Sequence, residues 1–379
     1  MFFKINNNYF IPWRFAMNRT YRVGVVGATG MVGQRFLAIL KQHPWFKVTV
    51  LAASQSSAGK TYAEAVEGRL KADDCDEILK YYGNVVMLDA VADLKKIVSS
   101  VDFVFCAVNM ERNLVKELEE AYAKNECPVV SNNSANRLVD DVPMVIPEIN
   151  SEHLNVIEFQ KKRLKTKKGF IAVKSNCSIQ SYVPAIAPLL KFEPTKIGVV
   201  TCQAISGAGR TFENWPDIID NVVPFIKGEE EKSELEPLKI FGELKDGKIK
   251  LAENLKISAQ CFRVPVSDGH MAAVQVSFKK KPSIEEIKLH WKNFKTKPQA
   301  LKLPSAPKWF LHYFSQSDRP QTRLDRNLER GMAISLGRLR SDPLFDYKFV
   351  CLSHNTVRGA AGGAVLMAEL LAAEGYFNH

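Results

Sequence analysis

A cysteine in a polar setting is the strongest candidate for a reactive group in this chain. Cys177 stands in the segment SNCS, residues 175–178, between an apolar strand pattern and an apolar helix pattern. Ser and Asn are frequent helix N-caps, so the sequence places Cys177 in the first turn of a helix, where free amides and the helix dipole stabilise a thiolate. The alternative is a small core residue, which apolar neighbours favour for Cys106, Cys127, Cys261 and Cys351.

A nucleophile also needs a group that exchanges protons, and His270 is the candidate. It begins a strand pattern directly after the turn Ser267–Gly269, and Arg263 precedes it by seven residues. This spacing brings a titratable ring and a cation to one end of a hairpin. The alternation of side chains along the strands does not establish that Arg263 and His270 lie on the same face of the sheet. A turn histidine with a surface arginine fits the pattern equally well.

Glycines at positions 27, 30 and 33 form a candidate phosphate-binding turn. They lie between a short buried strand, Val23–Val26, and a helix pattern, Val32–Leu40. Glycine lets the backbone approach a pyrophosphate, whose charge then meets the amides of the helix N-terminus. The spacing is tighter than GxGxxG, and a tight turn without a ligand is the alternative.

The second predicted strand, Phe46–Ala52, runs into the serine-rich loop Ala53–Lys60. A site that prefers NAD has an Asp or Glu at this point, which binds the 2′-hydroxyl of the ribose. The loop contains no acid, so it favours NADP, whose 2′-phosphate could be held there. A turn without a ligand is again the alternative.

The elements around these residues indicate two kinds of architecture. Up to Pro143, strand patterns alternate with helix patterns, which is typical of a parallel, doubly wound sheet. From Lys196 onwards, alternating strand patterns predominate, so the sequence predicts a Rossmann-type α/β domain followed by a mixed α+β domain with an extensive sheet. The other predicted elements are strands at Val85–Asp89, Val101–Ala107, Pro128–Ser131 and Phe170–Val173, and helices at Leu114–Lys124 and Glu152–Lys168.

The composition excludes several classes of protein. A chain of 379 residues with 46% hydrophobic and 25% charged residues predicts a folded, two-domain protein. It has no apolar run of about 18 residues, which a membrane-spanning helix needs. The net charge of +11 suits an anionic partner. The seven cysteines form no CxxC pair, which argues against a disulfide framework or a zinc site and for a reducing cytoplasm.

Motifs along nearly the whole chain carry a family resemblance. From about Tyr21 to about Tyr376 they are GATGMVG, ASQSSAGK, SNNSANR, DVPMVIPEIN, SNCS, TCQAISGAG, GEEEK, RVPVSDGH and SHNTVRGAAGG. The same motifs occur in this order in aspartate-semialdehyde dehydrogenases, and the sequence resembles the archaeal and fungal-like branch of that family.

The resemblance implies reduction of L-aspartyl-4-phosphate to L-aspartate-4-semialdehyde by NADPH, with release of phosphate. This step belongs to the biosynthesis of lysine, threonine, methionine and isoleucine. Cys177 matches the nucleophile, whose thiolate expels phosphate and leaves a thioester that accepts hydride. His270 matches the acid/base residue, and Gln203 matches the residue that orients the intermediate.

For the substrate, Arg263 matches the arginine that binds the α-carboxylate, since a guanidinium pairs well with a planar carboxylate. Arg137, with Asn136 beside it, matches the phosphate-binding segment. Glu229 and Lys232 resemble the pair that meets the substrate amine and phosphate. The run GEEEK contains three consecutive acids, so the choice of Glu229 among them stays open.

For the cofactor, the resemblance implies NADP and no metal. Many relatives have Arg where this chain has Ser56, so the 2′-phosphate lacks that cation and the preference for NADP is expected to be weaker than in those relatives. The matching positions lie in the glycine turn, the serine-rich loop, a second glycine loop and a late segment: Gly27, Thr29, Gly30, Met31, Val32, Ser54, Ser56, Ser57, Ser206, Gly207, Asn355 and Thr356.

The resemblance also divides the chain. It implies a dinucleotide-binding domain of residues 19–174 and 356–379 and a catalytic and dimerisation domain of residues 175–355, while residues 1–18 are expected to be a poorly ordered extension. It further implies a homodimer or homotetramer, with small-molecule substrates and neither a nucleic-acid nor a membrane partner.

Two alternatives stay open. A malonyl-CoA reductase would share the fold and the thiol chemistry, although its substrate segments differ from RVPVSDGH and GEEEK. A non-catalytic protein that binds nucleic acid or other anions would account for the charge of +11 and for the lysine run of residues 161–168, which is otherwise a solvated helix face.

Overall fold

The first domain is built on a six-stranded parallel sheet. The computed structural model describes residues 19–70 and 75–378, so the predicted extension at residues 1–18 lies outside the described residues. The strands are β1 Tyr21–Val26, β2 Phe46–Ala53, β3 Leu88–Asp89, β4 Phe103–Cys106, β5 Val129–Ser131 and β6 Ile171–Val173. Their order is β3-β2-β1-β4-β5-β6. This doubly wound order leaves a crevice for a ligand at the carboxyl ends of the strands, and it confirms the predicted Rossmann-type domain.

Helices flank the strands in chain order. The helices of the first part are α1 Met31–Leu40, α2 Tyr62–Val66, α3 Cys75–Tyr82, α4 Leu94–Ser100, α5 Arg112–Lys124 and α6 Ile157–Leu164. Those of the second part are α7 Val183–Ile186, α8 Glu229–Ile240, α9 Ile284–Lys292, α10 Lys297–Ala300, α11 Thr322–Asp325, α12 Leu328–Gly331 and α13 Gly362–Ala373.

Both faces of the parallel sheet are covered, because alternate side chains along each strand enter different apolar clusters. In β4, Val104 packs in one cluster with Leu118 of α5, while Phe105 packs in the other with Phe36 of α1. Helix α13 packs in this second cluster, so the end of the chain returns to the first domain. Burial on both faces explains why the strands are apolar at nearly every position.

The second domain contains a six-stranded mixed sheet. Its strands are β7 Pro194–Gln203, β10 Lys256–Arg263, β11 His270–Phe278, β12 Leu311–Phe314, β13 Ile334–Ser341 and β14 Tyr347–Ser353, in the order β10-β7-β11-β14-β13-β12. The hairpin of β8 Glu243–Lys245 and β9 Lys248–Lys250 lies outside this sheet. The predicted mixed α+β domain is therefore confirmed.

The register of the second sheet brings three candidate residues to one end. Strands β7 and β10 are parallel, with Arg263 paired to Gln203, the last residue of each strand. Strand β11 runs antiparallel to β7 and pairs Met271 with Cys202, so its first residue, His270, lies at the same end. The Cys177 loop follows β6 of the other sheet, and the site forms where the two sheets meet.

The segment after the SNCS motif differs from the prediction. Residues 177–182 form a turn, and α7 begins at Val183, so Cys177 does not lie in the first turn of a helix. The expected stabilisation of its thiolate by a helix dipole was wrong. The Asn176 side chain begins this turn, because its Oδ1 accepts from the Ser178 N–H at 2.7 Å, the bond that Asn also makes as a helix N-cap.

Candidate active site

Cys177 and His270 contact each other at the centre of the site. The Cys177 Sγ lies 3.4 Å from the His270 Nε2, and the ring is fully buried. The backbone N–H of Ala204 donates to Nδ1 at 3.1 Å, so the neutral ring carries its proton on Nε2, which faces the sulfur. Burial and the nearby Arg263 lower the pKa of His270 to about 3. The imidazole is therefore a neutral hydrogen-bond donor near neutral pH.

The thiol of Cys177 sits among opposing charges. Burial raises its pKa, and the Glu229 carboxylate raises it further. Lys174, Arg137 and Arg263 act in the opposite direction. A cation that favours the thiolate must therefore come from these side chains, because neither a helix dipole nor a protonated His270 supplies it.

Arg263 and His270 share one side of the sheet, which answers the question that strand alternation left open. Both lie against Gly207: a Cβ there would stand 2.9 Å from Arg263 Nη1 and 3.0 Å from His270 Nε2. A side chain at this position would therefore displace Arg263 and press on the ring of His270. Nη1 of Arg263 donates to the Ala204 carbonyl at 2.6 Å, and among the described residues no carboxylate lies within ion-pair distance of the guanidinium.

Of the three acids in GEEEK, Glu229 points into the site. It accepts from Asn176 Nδ2 at 3.0 Å, from Lys232 Nζ at 2.8 Å and from Gln203 Nε2 at 3.3 Å. Burial opposes its ionisation, but Lys232 and the amides outweigh burial and hold its pKa below the usual value. Glu231 is exposed. The geometry thus brings Glu229, Lys232 and Gln203 together.

The predicted phosphate-binding segment is held by protein contacts. Arg137 donates through Nε to the Lys174 carbonyl at 2.9 Å and through Nη2 to the Asn132 carbonyl at 3.1 Å. Asn136 is buried, and its amide donates to Glu119 at 2.7 Å. Binding of phosphate by Arg137 and Asn136 stays a prediction.

Glu236, which no sequence motif singled out, joins the two loops of the site. Its carboxylate accepts from Arg137 Nη1 at 2.9 Å and from the backbone N–H of Asn176 at 2.6 Å. One turn further along α8, Lys239 donates to the carbonyls of Arg137, Val139 and Val142. Charged residues at 229, 232, 236 and 239 lie on one helix face, and this spacing was the signal in the sequence.

Replacing Glu236 by Gln should destabilise the protein. The change removes the charge that pairs with a buried Arg137 and weakens a charge-assisted hydrogen bond to Asn176, so the free energy of unfolding should fall by about 2–4 kcal/mol. Denaturant unfolding measures this change. The control is Glu231→Gln on the same helix, where an exposed side chain should change stability by less than about 0.5 kcal/mol. Equal stability of the two variants would contradict the proposed joining role of Glu236.

A cleft of about 470 Å³ lies between the glycine turn of residues 27–33 and a second glycine loop, residues 206–209. Gly27 makes the turn, because its φ of +93° and the 2.4 Å from a Cβ there to the Ala107 carbonyl exclude a side chain. The residues lining the cleft are Met31, Arg35, Leu70, Cys75, Ile205, Ser206, Arg210, Thr211, Phe212, Glu213, Ser267, Asp268 and Thr356. Its size, its position and its two arginines fit a dinucleotide.

The other predicted cofactor residues lie around this cleft or beside it. Thr29, Gly30 and Val32 belong to the turn and the start of α1, where Gly30 is the N-cap. Asn355 accepts from the Gly269 N–H and donates to Ser206, each at 2.8 Å, and so ties two loops together.

The serine-rich loop contributes groups of different exposure. Ser54 and Ser56 are exposed and share a hydrogen bond of 3.0 Å, whereas Ser57 is buried. Exposed hydroxyls are available to a ligand, so Ser54 and Ser56 fit the predicted 2′-phosphate site better than Ser57 does.

Two further features of the structure bear on other classes of protein. Within residues 19–70 and 75–378, no group of three His, Cys, Asp or Glu side chains is arranged to hold a metal ion. In the same part of the chain, no helix has both the length and the apolar character needed to cross a membrane.

Comparisons with known proteins agree with this architecture. The family model described as semialdehyde dehydrogenase, NAD binding domain, matches residues 22–157. The model described as semialdehyde dehydrogenase, dimerisation domain, matches residues 186–358. Fold and family models together define the class of protein as a semialdehyde dehydrogenase.

Individual relatives narrow this class. The aspartate-semialdehyde dehydrogenase of Archaeoglobus fulgidus is 44% identical over 354 residues, which cover 93% of this chain and 98% of that protein. The Saccharomyces cerevisiae enzyme is 41% identical and covers 92% of this chain and 97% of its own length. The solved structure of the Candida albicans enzyme with NADP superposes with a TM-score of 0.83 at 37% identity, over 94% of this chain and 99% of that one. The chain belongs to the aspartate-semialdehyde dehydrogenase family.

Proposed function

We propose that this protein reduces L-aspartyl-4-phosphate to L-aspartate-4-semialdehyde through a thioester on Cys177, with NADPH as the reductant. The observation that carries the proposal is that three groups cluster at one point. The Cys177 Sγ lies 3.4 Å from His270 Nε2, and Arg263 and His270 both lie against Gly207. Nucleophile, hydrogen-bond donor and carboxylate-binding cation are the groups that this substrate requires.

In the first half of the reaction, the Cys177 thiolate is the nucleophile. Cys177 attacks the acyl carbon, a C–S bond forms, and the C–O bond to phosphate breaks, so that phosphate leaves with the electron pair. Lys232, beside Glu229, and Arg137 are the cations that we assign to the phosphate group. The resulting thioester is a better hydride acceptor than a carboxylate or an oxygen ester.

The second half needs a donor for developing negative charge. NADPH bound in the cleft supplies the hydride. Addition at the thioester carbon places negative charge on the carbonyl oxygen, and the neutral Nε2–H of His270 faces this space and donates a hydrogen bond to it. Collapse then breaks the C–S bond and returns the thiolate and the aldehyde. Gln203 lies beside Glu229 at the same end of the sheet, which fits its predicted orienting role.

Two side chains of opposite charge are assigned to the amino-acid part of the substrate. Arg263, which lacks a carboxylate partner among the described residues, is assigned to the α-carboxylate, and Glu229 is assigned to the α-amino group. Both groups lie close enough to Cys177 to influence the pKa of its thiol. This arrangement accounts for a substrate that carries both charges.

Replacing Arg263 by Leu tests this assignment. The variant should raise the KM for L-aspartate-4-semialdehyde by about 10²-fold, because a charge-assisted bidentate contact is lost. The matched control is a second substrate, 3-aminopropanal, which has the aldehyde and the amine but no α-carboxylate. The KM for 3-aminopropanal should be high with the wild-type enzyme and nearly unchanged by the substitution. An equal penalty on both aldehydes would remove Arg263 from carboxylate binding.

NADP is the proposed cofactor. The support is the related Candida albicans enzyme, whose structure was solved with NADP, together with the absence of a carboxylate in the loop from Ala53 to Lys60. Ser54 and Ser56 are the hydroxyls that we assign to the 2′-phosphate. Because Ser56 supplies no charge, discrimination against NAD should be modest.

A homodimer is the proposed assembly. The matched dimerisation domain includes β7 and β11, and one face of these strands carries partly exposed or exposed side chains such as Val200, Cys202, Met271 and Ala273. The nearby loop exposes the large apolar residues Ile219, Val222 and Phe225. A second copy covering this apolar surface explains both observations. Sedimentation equilibrium distinguishes a dimer from a monomer and from the tetramer that was also predicted.

A reducing compartment such as the cytoplasm is the proposed location, because a catalytic thiol must stay reduced and none of the seven cysteines forms a disulfide.

The experiment that tests the function is phosphate-dependent reduction of NADP by L-aspartate-4-semialdehyde, run beside NAD and beside NADPH-dependent reduction of malonyl-CoA. We expect turnover with the semialdehyde, strict dependence on phosphate and faster reaction with NADP than with NAD. Turnover of malonyl-CoA without the semialdehyde would replace the substrate assignment, and no turnover of either would overturn the enzymatic function.

A further inference from the structure

Three segments that are distant in the sequence meet behind the nucleophile at one buried arginine. Arg358 is fully buried, in the segment that leads into α13. Its Nη1 and Nη2 donate to the two carboxylate oxygens of Glu148, each at 2.6 Å, and its Nε donates to the Oε1 of Gln180 at 3.0 Å. The reaction as proposed uses none of these three side chains.

The ion pair of Arg358 and Glu148 holds the guanidinium in one place. Two parallel hydrogen bonds between a guanidinium and a carboxylate fix both the distance and the orientation of the groups. The ring of Phe310 lies 4.8 Å from the guanidinium carbon and covers one face of it. The side chains of Arg358 and Glu148 are only 1% and 0% exposed. Another position of Arg358 is costly, because a broken buried pair leaves a charge without compensation.

Gln180 connects this ion pair to the loop of the nucleophile. Its Oε1 accepts from Arg358, and its Nε2 donates to the Ser175 Oγ at 2.6 Å. Both Gln180 and Ser175 are buried, so bulk water does not compete for these hydrogen bonds. Ser175 lies two residues before Cys177, and Gln180 lies three residues after it. The hydrogen bond between them therefore closes the backbone on both sides of the cysteine into one loop.

The residue that follows Arg358 packs directly against the cysteine. A Cβ added to Gly359 would lie 2.8 Å from the Cys177 Cβ and 3.2 Å from its Cα. The backbone of Gly359 is itself held, because its N–H donates to the His354 carbonyl at 2.9 Å. Arg358 is thus linked to Cys177 twice, through the side chain of Gln180 and through the backbone of the next residue.

The sulfur of Cys177 needs such a support, because its partner in the reaction belongs to another sheet. The Cys177 loop follows β6 of the first sheet, whereas His270 begins β11 of the second sheet, and the Sγ lies 3.4 Å from the His270 Nε2. A misplacement of about 1 Å between reacting groups can lower a rate by about 10²-fold. A loop that is free to shift relative to the second sheet would lose this geometry.

We infer that Arg358 and Gln180 are positioning residues for the nucleophile. The buried ion pair of Arg358 and Glu148 acts through Gln180 on Ser175, and it holds the Cys177 loop at the distance from His270 that the reaction requires. This inference rests on the proposed function in one respect, since it takes Cys177 as the nucleophile.

The test compares two buried glutamines. Gln180→Leu removes both hydrogen bonds of the side chain and leaves the ion pair intact. The matched control is Gln160→Leu, because Gln160 is also buried and donates to the carbonyls of Asp141 and Ile171, each at 2.9 Å. Both variants should unfold at a lower denaturant concentration than the wild type. Only Gln180→Leu should lower kcat for L-aspartate-4-semialdehyde, by about 10- to 100-fold, with KM changed by less than about twofold.

A second variant tests whether the effect is transmitted through Ser175. Ser175→Ala removes the hydrogen bond from its other end and should lower kcat about as much as Gln180→Leu does. The double variant should be no slower than Gln180→Leu alone, because both changes break the same link. A wild-type kcat in Gln180→Leu, an equal loss in Gln160→Leu, or losses that multiply in the double variant would each overturn the inference. If Gln180→Leu does not fold, a wild-type kcat in Ser175→Ala has the same meaning.

Failure of this inference is distinguishable from failure of the proposed function, because amide hydrogen exchange of the Cys177 loop needs no turnover. Exchange in the peptide that spans residues 175–182 should be faster in Gln180→Leu and unchanged in Gln160→Leu. Turnover in the wild type with an unchanged kcat in Gln180→Leu overturns the positioning role alone. If the wild type has no turnover, the proposed function fails, and unchanged exchange in Gln180→Leu then overturns the positioning role as well.

Discussion

Replacing Cys177 by Ser should lower the turnover of L-aspartate-4-semialdehyde by about 10⁴-fold or more. A serine hydroxyl has a far higher pKa than a thiol, and the neutral His270, whose pKa is lowered to about 3, is too weak a base to remove its proton. An oxygen ester also accepts hydride less readily than a thioester. Steady-state rates of NADP reduction, extended to long incubations and high enzyme concentration, measure the loss.

Cys202→Ser is the matched control for this substitution. Cys202 is partly exposed and precedes Gln203 on β7, so its side chain points to the opposite face of the sheet. This variant should keep its turnover within about twofold of the wild type. Near-normal turnover in Cys177→Ser would defeat the covalent mechanism.

Replacing His270 by Asn should lower turnover by about 10²–10³-fold. The shorter Asn side chain still reaches the backbone of Ala204, but it places no N–H at the position of Nε2, so the oxyanion loses its donor. His270→Gln restores an amide N–H near that position and should recover about tenfold of the loss. Initial rates of the three proteins at saturating substrate give the comparison.

The contrast between Gln and Asn separates a neutral donor from a proton-transferring base. Equal activity in the two variants would show that hydrogen-bond donation alone is not the role of His270. His312→Asn is the control for loss of an imidazole, because His312 lies on β12 and not on the strands that carry the site. Its turnover should match the wild type.

His270→Asn should also change how the folding stability depends on pH. Between pH 6.5 and about 3 the unfolded state protonates its histidine while the folded state keeps His270 neutral, so folding stability declines as the pH falls through this window. His270→Asn removes this contribution. Its unfolding temperature should therefore decrease less between about pH 7 and about pH 4.5 than that of the wild type. Parallel decreases would show that His270 is readily protonated in the fold.

Local patterns were sufficient to predict both sheets. Apolar runs such as Phe103–Cys106 mark strands buried on two faces, and the glycines at 27, 30 and 33 lie where β1 turns into α1. Strand ends were less accurate: the strand predicted over Val85–Asp89 contains only Leu88 and Asp89. The lysine-rich helix predicted over Glu152–Lys168 begins as a 3-10 turn at Ser151 and ends at Leu164.

The contacts within the site could not be predicted from local sequence. Whether Arg263 and His270 share a side depends on the parallel pairing of β10 with β7, which brings together residues about 60 positions apart. The Cys177 segment also begins with the N-cap bond expected of Asn176, yet residues 177–182 form a turn and the helix starts only at Val183, which the cap residue alone does not reveal. The spacing of charges along α8 places Glu236 on the same helix face as Glu229. It does not reveal the hydrogen-bond partners of Glu236, which lie 60 and 99 positions away in the sequence.

The close approach of Gly359 to Cys177 has a consequence for protein engineering. The nucleophile follows a strand of the first domain, and the backbone pressed against it leads into α13, which packs with that same domain. A graft of this cofactor domain onto another catalytic domain would therefore carry part of the reactive centre with it. Such a graft has to include residues 357–373 as well as the first 173, and a chimera joined at a single point should bind a dinucleotide but fail to shape the thiol pocket.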